Sequence, residues 1–492
     1  MLKTGKEYVE SLRKRKITVY LFGEEIKNPI DHSVIKPSVN SVSVTYDIAH
    51  DKRYEGLATA KSHLTGSRIN RFTHIHQNTE DLVKKVKLLR LMGQKTGACF
   101  QRCVGMDAVN ALSSITYEAD RKLGTEFHKR FNEFLKHVQN DDLVCCGAMT
   151  DPKGDRSLAP SEQADPDLYL RMVERRDDGI VVRGSKVHQT GAINSHEVIV
   201  MPTRTMGEKD KDYAVSFAVP SDAEGITYIY GRQPSDARKL EKGKMDLGNI
   251  KYGGQEAMII FDDVFVPWER VFMAGENEFT PQLVERFAAY HRQSYGGCKP
   301  GVGDVLIGAA AAIAEYNGVQ KASHIRDKLV EMNHLNETLY SCGLACSAEG
   351  CRTESGTYLV NVLLANICKH NVTRLPYEIA RLAEDIAGGL IVTAPSESDF
   401  KNPKIGKYVD KYLRGVATVP TEHRLRMLRL IENISSGLGS VAYRTESMHG
   451  AGSPQAQRIM IEREVDIDSK KKLAKVLAGI ENDSQTRSGA KS

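Results

Sequence analysis

The feature that most constrains this chain is a block of short β-branched and aromatic runs bracketed on both sides by sequence of helical texture. The runs GIVVRGSKV, HEVIVMPT, DYAVSFAVP, ITYIYGR and AMIIFDDVFVPWERVF follow Asp151 and are separated by Gly, Pro, Asp and Asn, which predicts a sheet of several short strands. Before the block, Leu82, Val86, Leu89 and Met92, then Phe127, Phe131, Phe134 and Leu135, recur at helical spacing. After Pro281 that spacing returns through VERFAAYHRQSY, DVLIGAAAAIAEY, LVNVLLANICKH and EHRLRMLRLIENI. Segregated helices and strands predict an α+β architecture and argue against a doubly wound parallel sheet. No Rossmann glycine fingerprint, Walker loop or tandem repeat occurs. The expected domains are mainly helical at 1–145, β at 146–278 and helical at 279–492.

Charge and length narrow the function classes. With 492 residues and 41% hydrophobic content the chain can bury a large core. Its net charge of +5 is spread among acidic residues, so nucleic acid is not an expected partner. The longest uninterrupted apolar run, Val305 to Ala314, ends at Asp304 and Glu315, well short of the roughly 20 residues a bilayer span requires; no membrane partner is expected. The opening MLKTGKEYVESLRKRK has no apolar leader core and reads as a helix with a Thr4 to Glu7 capping box, an expectation of cytoplasmic residence. Nine cysteines in such a chain suggest thiols, metal ligands or redox groups before disulfides. The polar tail at 482–492 is expected to fray.

Cys99 and Cys103 in GACFQRCVGMD are four residues apart in a helical pattern, which places two sulfurs on one helix face. Cys342 and Cys346 have the same spacing, and spacing alone does not choose between the pairs. Paired buried thiols are also ordinary core residues. In ERFAAYHRQSYGGCKPG, His291 and Cys298 share a face if the helix continues through Gly296 and Gly297, with Tyr295 between them. Three Cys and one His suit zinc or an iron-sulfur cluster. The loops GAMTDPKGDRSLAP and HQTGAINSHE are able to wrap a polar cofactor, although turn chemistry explains their composition equally well. EDIAGGL and SMHGAGSPQ bring glycines where backbone approaches a phosphate or ring, or simply turns.

The segments YVESLRKRK, GQKTGACFQRCVGMDA, GAMTDPKGDR, HQTGAINSHE, GGQEA, ERFAAYHRQSYGGCK, ASHIRDKLVEMNHLNETLY, YEIARLAEDIAGGL and YRTESMHGAGSPQAQRIMI resemble the 4-hydroxybutyryl-CoA dehydratases, flavin and iron-sulfur members of the 4-hydroxyphenylacetate 3-monooxygenase superfamily. The resemblance covers nearly the whole chain. It implies an acyl-CoA dehydrogenase-like subunit in a homotetramer, and a 4Fe-4S cluster on Cys99, Cys103, His291 and Cys298. It further implies FAD beside Met149, Thr150, Asp155, Arg156, His188, Gln189, Thr190 and Asn194, with Gly388 and Gly389 at a neighbour's flavin.

The activity so implied is dehydration of 4-hydroxybutyryl-CoA to crotonyl-CoA, together with isomerisation of vinylacetyl-CoA to crotonyl-CoA. The C3 hydrogen of a 4-hydroxyacyl thioester is not activated by the carbonyl, so a radical route is expected, with one-electron flavin chemistry and iron acting as a Lewis acid on the departing hydroxyl. His291 is the expected base at C2, and Glu446 or Tyr295 handles the other proton. Lys299 and Gln101 are expected beside the cluster, with Glu256 and Thr190 near the flavin and thioester. The alternatives are a flavin-dependent aromatic monooxygenase, which leaves Cys99 and Cys298 without a task, and a zinc-stabilised scaffold, which leaves the flavin-type loops idle.

Overall fold

The structure is a computed structural model that describes residues 2–233, 236–241 and 243–480; the tail expected to fray at 482–492 lies outside them. The chain opens with helix Gly5–Arg13, where the Thr4 side chain accepts from Glu7 N and the Glu7 carboxylate accepts from Thr4 N, closing the capping box. Two short strands follow. Thr18–Leu21 pairs in parallel with Ile226–Tyr230, so a stretch inside the mainly helical N-terminal segment completes the sheet of the middle region. Helices Lys36–Asp47, Thr79–Thr96, Cys103–Leu123 and Phe127–Asn140 come next.

The β block forms two sheets. The larger runs Glu24–Glu25, Thr18–Leu21, Ile226–Tyr230, Glu256–Pro267, Gly179–Thr190, Arg171–Arg175; the smaller runs Val271–Ala274, Val215–Pro220, Glu197–Val200, Cys145–Ala148. Their inner faces share one core, in which Val182, Val198, Phe217, Ile259 and Phe261 are buried. The segregation of helices and strands read from the sequence is therefore present.

Helices take over from Thr280. Thr280–Tyr316 is 37 residues long and continues through Gly296, Gly297 and Pro300. By length and composition residues 277–316 are apolar enough to cross a membrane, a property the search for uninterrupted apolar runs missed, because Gly and single polar residues break the run without lowering its mean hydropathy much. Most of that window is buried within the protein, and a helix enclosed by neighbours is apolar all round for that reason. Ser323–Ala348, Val362–Val372, Leu375–Ala387 and Thr421–Ser435 pack beside it.

One close crossing positions the site. A Cβ built on Gly301 would lie 2.2 Å from Arg90 O, and one built on Gly93 would lie 2.8 Å from Cys298 O. Helices Thr79–Thr96 and Thr280–Tyr316 thus touch backbone to backbone, which only glycine permits. Thr79–Thr96 then stops at Gly97, whose φ of 56° is left-handed, and the turn that follows delivers Cys99 to the side of Cys298.

Candidate active site

At the junction of the β block with the two helical regions lies a small cavity. Cys99, Cys103, His291 and Cys298, the four residues singled out as a ligand set, all line it, and Cys342 and Cys346 do not. Cys99 comes from the 97–102 turn, Cys103 begins the next helix, and His291, Tyr295, Cys298 and Lys299 lie along one face of Thr280–Tyr316. Thr190 and Glu446 add walls from a strand end and from the C-terminal region.

The thiols are held as neutral groups by the protein alone. Burial pushes Cys99, Cys103 and Cys298 up; the other thiols raise Cys103 further, while the Lys299 ammonium pulls Cys99 and Cys298 back. A set like this becomes thiolate when positive charge enters the cavity. Among the described residues, no group of three or more His, Cys, Asp or Glu is gathered closely enough to hold a single metal ion.

His291 is oriented from behind. Its Nδ1 lies 2.8 Å from Asp107 Oδ2, so the ring donates there and Nε2 is left for the cavity. The ring also stacks on Phe287 and meets Tyr295 edge-on at 5.0 Å. Asp107, fully buried, accepts from Lys85 Nζ at 2.5 Å and Ser294 Oγ at 3.0 Å. Burial opposes its charge, but Lys85 and His291 hold its carboxyl below the usual range. Asp107 and Lys85 were not singled out from sequence, although Asp107 stands four residues after Cys103 and so on the same helix face.

Tyr295 OH donates to Glu446 Oε1 at 3.3 Å. Lys299 Nζ lies 4.0 Å from Glu446 Oε2 and 4.6 Å from the Tyr295 ring centroid. Burial works against the Lys299 charge, yet Cys298 and Glu446 leave its pKa raised. Thr190 Oγ1 donates to Glu256 Oε2 at 2.7 Å across the paired strand ends. Burial, reinforced by Glu446, drives the Glu256 pKa far upward; Glu256 is a neutral acid behind the Thr190 wall.

The remaining expected residues divide into two groups. Gln101 has left-handed backbone, φ 63°, and its amide donates to Ser38 O, Cys99 O and Gly253 O while accepting from Asn194 Nδ2 at 2.7 Å. It braces the cysteine turn from outside the cavity. Gln189 donates to Thr150 O at 3.2 Å, Met149 O accepts from Lys186 Nζ at 3.0 Å, and His188 has φ 58°, so these residues gather at the strand end that carries Thr190. Asn194 is fully buried and its Oδ1 has no partner, an acceptor suited to a polar ring edge such as a flavin's. Asp155 and Arg156 sit on an exposed turn, with Asp155 Oδ1 accepting from Ser157. Gly388 ends helix Leu375–Ala387 with φ 73°, and Cβ atoms built on Gly388 and Gly389 would meet nothing within 4 Å.

Comparison with known proteins places the chain in a family. The N-terminal family of 4-hydroxyphenylacetate 3-hydroxylase matches residues 4–273 and its C-terminal family matches residues 280–479. The chain is 62% identical over 489 residues to the 4-hydroxybutyryl-CoA dehydratase/vinylacetyl-CoA-Δ-isomerase of Clostridium aminobutyricum, covering 98% of this chain and 100% of that one. It is 26% identical to the oxygenase component of 4-hydroxyphenylacetate 3-monooxygenase from Thermus thermophilus, covering 89% and 90%. An oxygen-tolerant archaeal 4-hydroxybutyryl-CoA dehydratase from N. maritimus superposes with a TM-score of 0.96 at 59% identity, over 98% of this chain and 96% of that one. An FAD complex of the oxygenase component of 4-hydroxyphenylacetate 3-monooxygenase has the same fold, with a TM-score of 0.85 at 23% identity over 96% and 98%.

Proposed function

The chain belongs to the 4-hydroxyphenylacetate 3-hydroxylase family, and on that footing we propose that it is a lyase that dehydrates 4-hydroxybutyryl-CoA to crotonyl-CoA and also isomerises vinylacetyl-CoA to crotonyl-CoA. The observation that carries this reading is the meeting of Cys99, Cys103, His291 and Cys298 in one cavity with Tyr295, Lys299 and Glu446. An aromatic monooxygenase on the same fold has no task for three cavity-facing thiols.

The donor set is the reason to assign a 4Fe-4S cluster to Cys99, Cys103, His291 and Cys298, and Thr190 with the unpaired Asn194 Oδ1 supports FAD against the strand end. When bound, these groups supply Lewis acidity toward a hydroxyl and one-electron redox chemistry. The protein's own residues handle protons and position. His291 Nε2, the one ring nitrogen that the bond from Nδ1 to Asp107 leaves free, would hold the cluster and, when released from it, take the C2 proton of the thioester. Glu446, joined to Tyr295 OH, moves the second proton. The Lys299 ammonium keeps negative charge favourable beside them, and burial of Tyr295 and Lys299 excludes bulk water. Glu256, kept protonated, offers Thr190 a fixed acceptor.

The helical, β and helical order is assigned as an acyl-CoA dehydrogenase-like subunit with the domain limits given above. The exposed Gly388 and Gly389 support a homotetramer in which they reach a neighbour's flavin. Nine free cysteines are consistent with a reducing, cytoplasmic setting. Metal and flavin analysis of anaerobically purified protein, with its absorption spectrum, tests the reading: FAD and about four irons per subunit are expected, and stoichiometric zinc without iron overturns it.

A further inference from the structure

Two buried cations near the site have no place in the scheme above. Lys369 is fully buried and Arg292 is 6% exposed, and neither forms an ion pair within 4.0 Å among the described residues. Each instead donates to a backbone carbonyl of the segment that carries Glu446. Lys369 Nζ donates to Ser447 O, and Arg292 Nε donates to Ala451 O at 3.0 Å. Lys299 Nζ makes the same kind of bond to Ala442 O at 2.5 Å. Three cations from two helices thus hold carbonyls at 442, 447 and 451, and Glu446 lies between them.

The segment needs such support because its own structure is poor. It consists of a three-residue helical turn, Leu438–Ser440, a π-helical turn, Val441–Thr445, and the four-residue helix Glu446–His449. Ala451 then has φ 56°, a left-handed conformation that costs a non-glycine residue of order 1 kcal/mol, and it is Ala451 O that Arg292 takes. Arg292 is fixed in turn by donation from NH1 to Asn366 Oδ1 at 2.7 Å. A basic side chain buried without a carboxylate partner is costly to a fold whether it keeps its charge or sheds its proton, and both of these donate to this one segment.

We propose that Lys369 and Arg292 are positioning residues that pin the 442–451 segment and thereby hold the Glu446 carboxylate against Tyr295. Neither lines the cavity, although Lys369 Nζ lies 5.2 Å from the Tyr295 ring centroid; they act through the Glu446 and Tyr295 pair. The inference rests on the reading that Glu446 moves a proton in the reaction.

The test is a double-mutant cycle on the holoenzyme. Lys369→Met and Arg292→Met are each made alone and with Glu446→Gln, and both half reactions are measured alongside iron and FAD content and hydrogen exchange of the 442–452 amides. Each single variant is expected to lower kcat about tenfold to a hundredfold, the range for an ångström-scale misplacement. KM is expected to stay within about threefold, cofactor content to stay at the wild-type level, and exchange in 442–452 to accelerate. In the Glu446→Gln background the same substitutions are expected to cost nothing further, because the group they position is already gone. Equal losses in both backgrounds, or unchanged exchange, overturn the proposal. If the Met variants do not accumulate, Lys369→Arg and Arg292→Lys keep the charge while moving the donor, and the same pattern is expected of them; failure of these to fold as well assigns the two residues to general stability and overturns it. Should Glu446→Gln itself leave both rates intact, the reading of Glu446 fails; should it lower them while Lys369→Met and Arg292→Met do not, only the positioning role fails.

Discussion

Gly450 is where one added methyl group has the most specific consequence. Its backbone, φ −57° and ψ 136°, suits alanine, so Gly450→Ala introduces no torsional strain. A Cβ there, however, would sit 2.3 Å from both Tyr295 OH and Glu446 Oε1. Ordinary contact begins near 3.4 Å, so the two groups, or the turn itself, must move by about 1 Å, a displacement that costs a catalytic arrangement about a hundredfold in rate. The overpacking penalty is about 1–3 kcal/mol, reduced by up to about 1 kcal/mol because alanine restricts the unfolded chain. The protein is therefore expected to fold, with the Tyr295 to Glu446 bond broken. The assay is kcat for 4-hydroxybutyryl-CoA dehydration and vinylacetyl-CoA isomerisation in holoenzyme matched for FAD and iron. Both rates are expected to fall together, by about a hundredfold. Gly308→Ala is the control, since a Cβ at that position meets nothing within 4 Å, and it should leave the rates unchanged while adding helix propensity. Rates within twofold of wild type in Gly450→Ala would refute the claim that Glu446 and Tyr295 act as a hydrogen-bonded pair.

Cys99→Ala and Cys103→Ala are expected to lose iron and dehydration, whereas Cys342→Ala and Cys346→Ala keep both; equal iron loss in the two pairs would remove the ligand assignment. Burial lowers the Lys369 pKa to about 7, so between about pH 7 and 10 the unfolded chain holds a proton that the folded protein sheds, and stability rises with pH through that window. Urea denaturation of Lys369→Met should show a flatter pH profile there than wild type, by no more than about 1.4 kcal/mol per pH unit, and parallel profiles would count against the burial argument. If Gly388 and Gly389 reach a neighbour's flavin, a monomer isolated by sizing should carry little FAD, and a monomer holding full FAD would contradict that assembly.

The helical, β and helical order was legible because each block keeps one periodicity over many residues, and the Gly and Pro punctuation between Asp151 and Val271 marked most of the strands. Strand Thr18–Leu21 was not legible, because its partner Ile226–Tyr230 is some two hundred residues distant, and four residues carry too little pattern to announce a parallel pairing. The ligand set was half legible. Spacing put His291 and Cys298 on one helix correctly, but the shared helix face expected for Cys99 and Cys103 does not exist: the helix ends at Thr96 with a left-handed Gly97, and Cys99 reaches the cavity from the turn before the helix that Cys103 begins. Cys342 and Cys346 have the same spacing, and only the cavity they fail to reach separates them by geometry. Lys369 and Arg292 were invisible for a different reason: a single basic residue in an apolar helix reads as a solvated charge, and its burial against a distant carbonyl is a tertiary fact. Gly450 read as a plain turn residue, and its importance arises from two side chains that approach it, one of them from a helix more than a hundred residues earlier.

The two walls of the cavity are built to different tolerances. On one side, Lys85, Asp107, Ser294 and His291 form a buried network in which Asp107 accepts from all three partners and Lys85 also donates to Tyr290 O at 2.9 Å. Both members of the Lys85 and Asp107 pair are fully buried, so loss of either partner would strand a charge, at about 3–5 kcal/mol. This network stands on three helices, Lys85 on Thr79–Thr96, Asp107 on the helix that begins at Cys103, and His291 and Ser294 on the helix that carries Cys298, and glycine contacts lock the last of these to Thr79–Thr96. Three of the four residues proposed to hold the cluster, Cys103, His291 and Cys298, are carried by regular helices, and Cys99 by the turn between two of them. On the other side, Glu446 stands on a π-turn and a single helical turn tied down by side-chain donors to backbone carbonyls. Such a segment opens at lower free energy than the helices opposite, because few backbone hydrogen bonds must break. The division leaves His291, oriented by Asp107, on the rigid wall and Glu446 on the compliant one. Substrate entry and product exit are then expected to disturb Glu446 before they disturb the ligands.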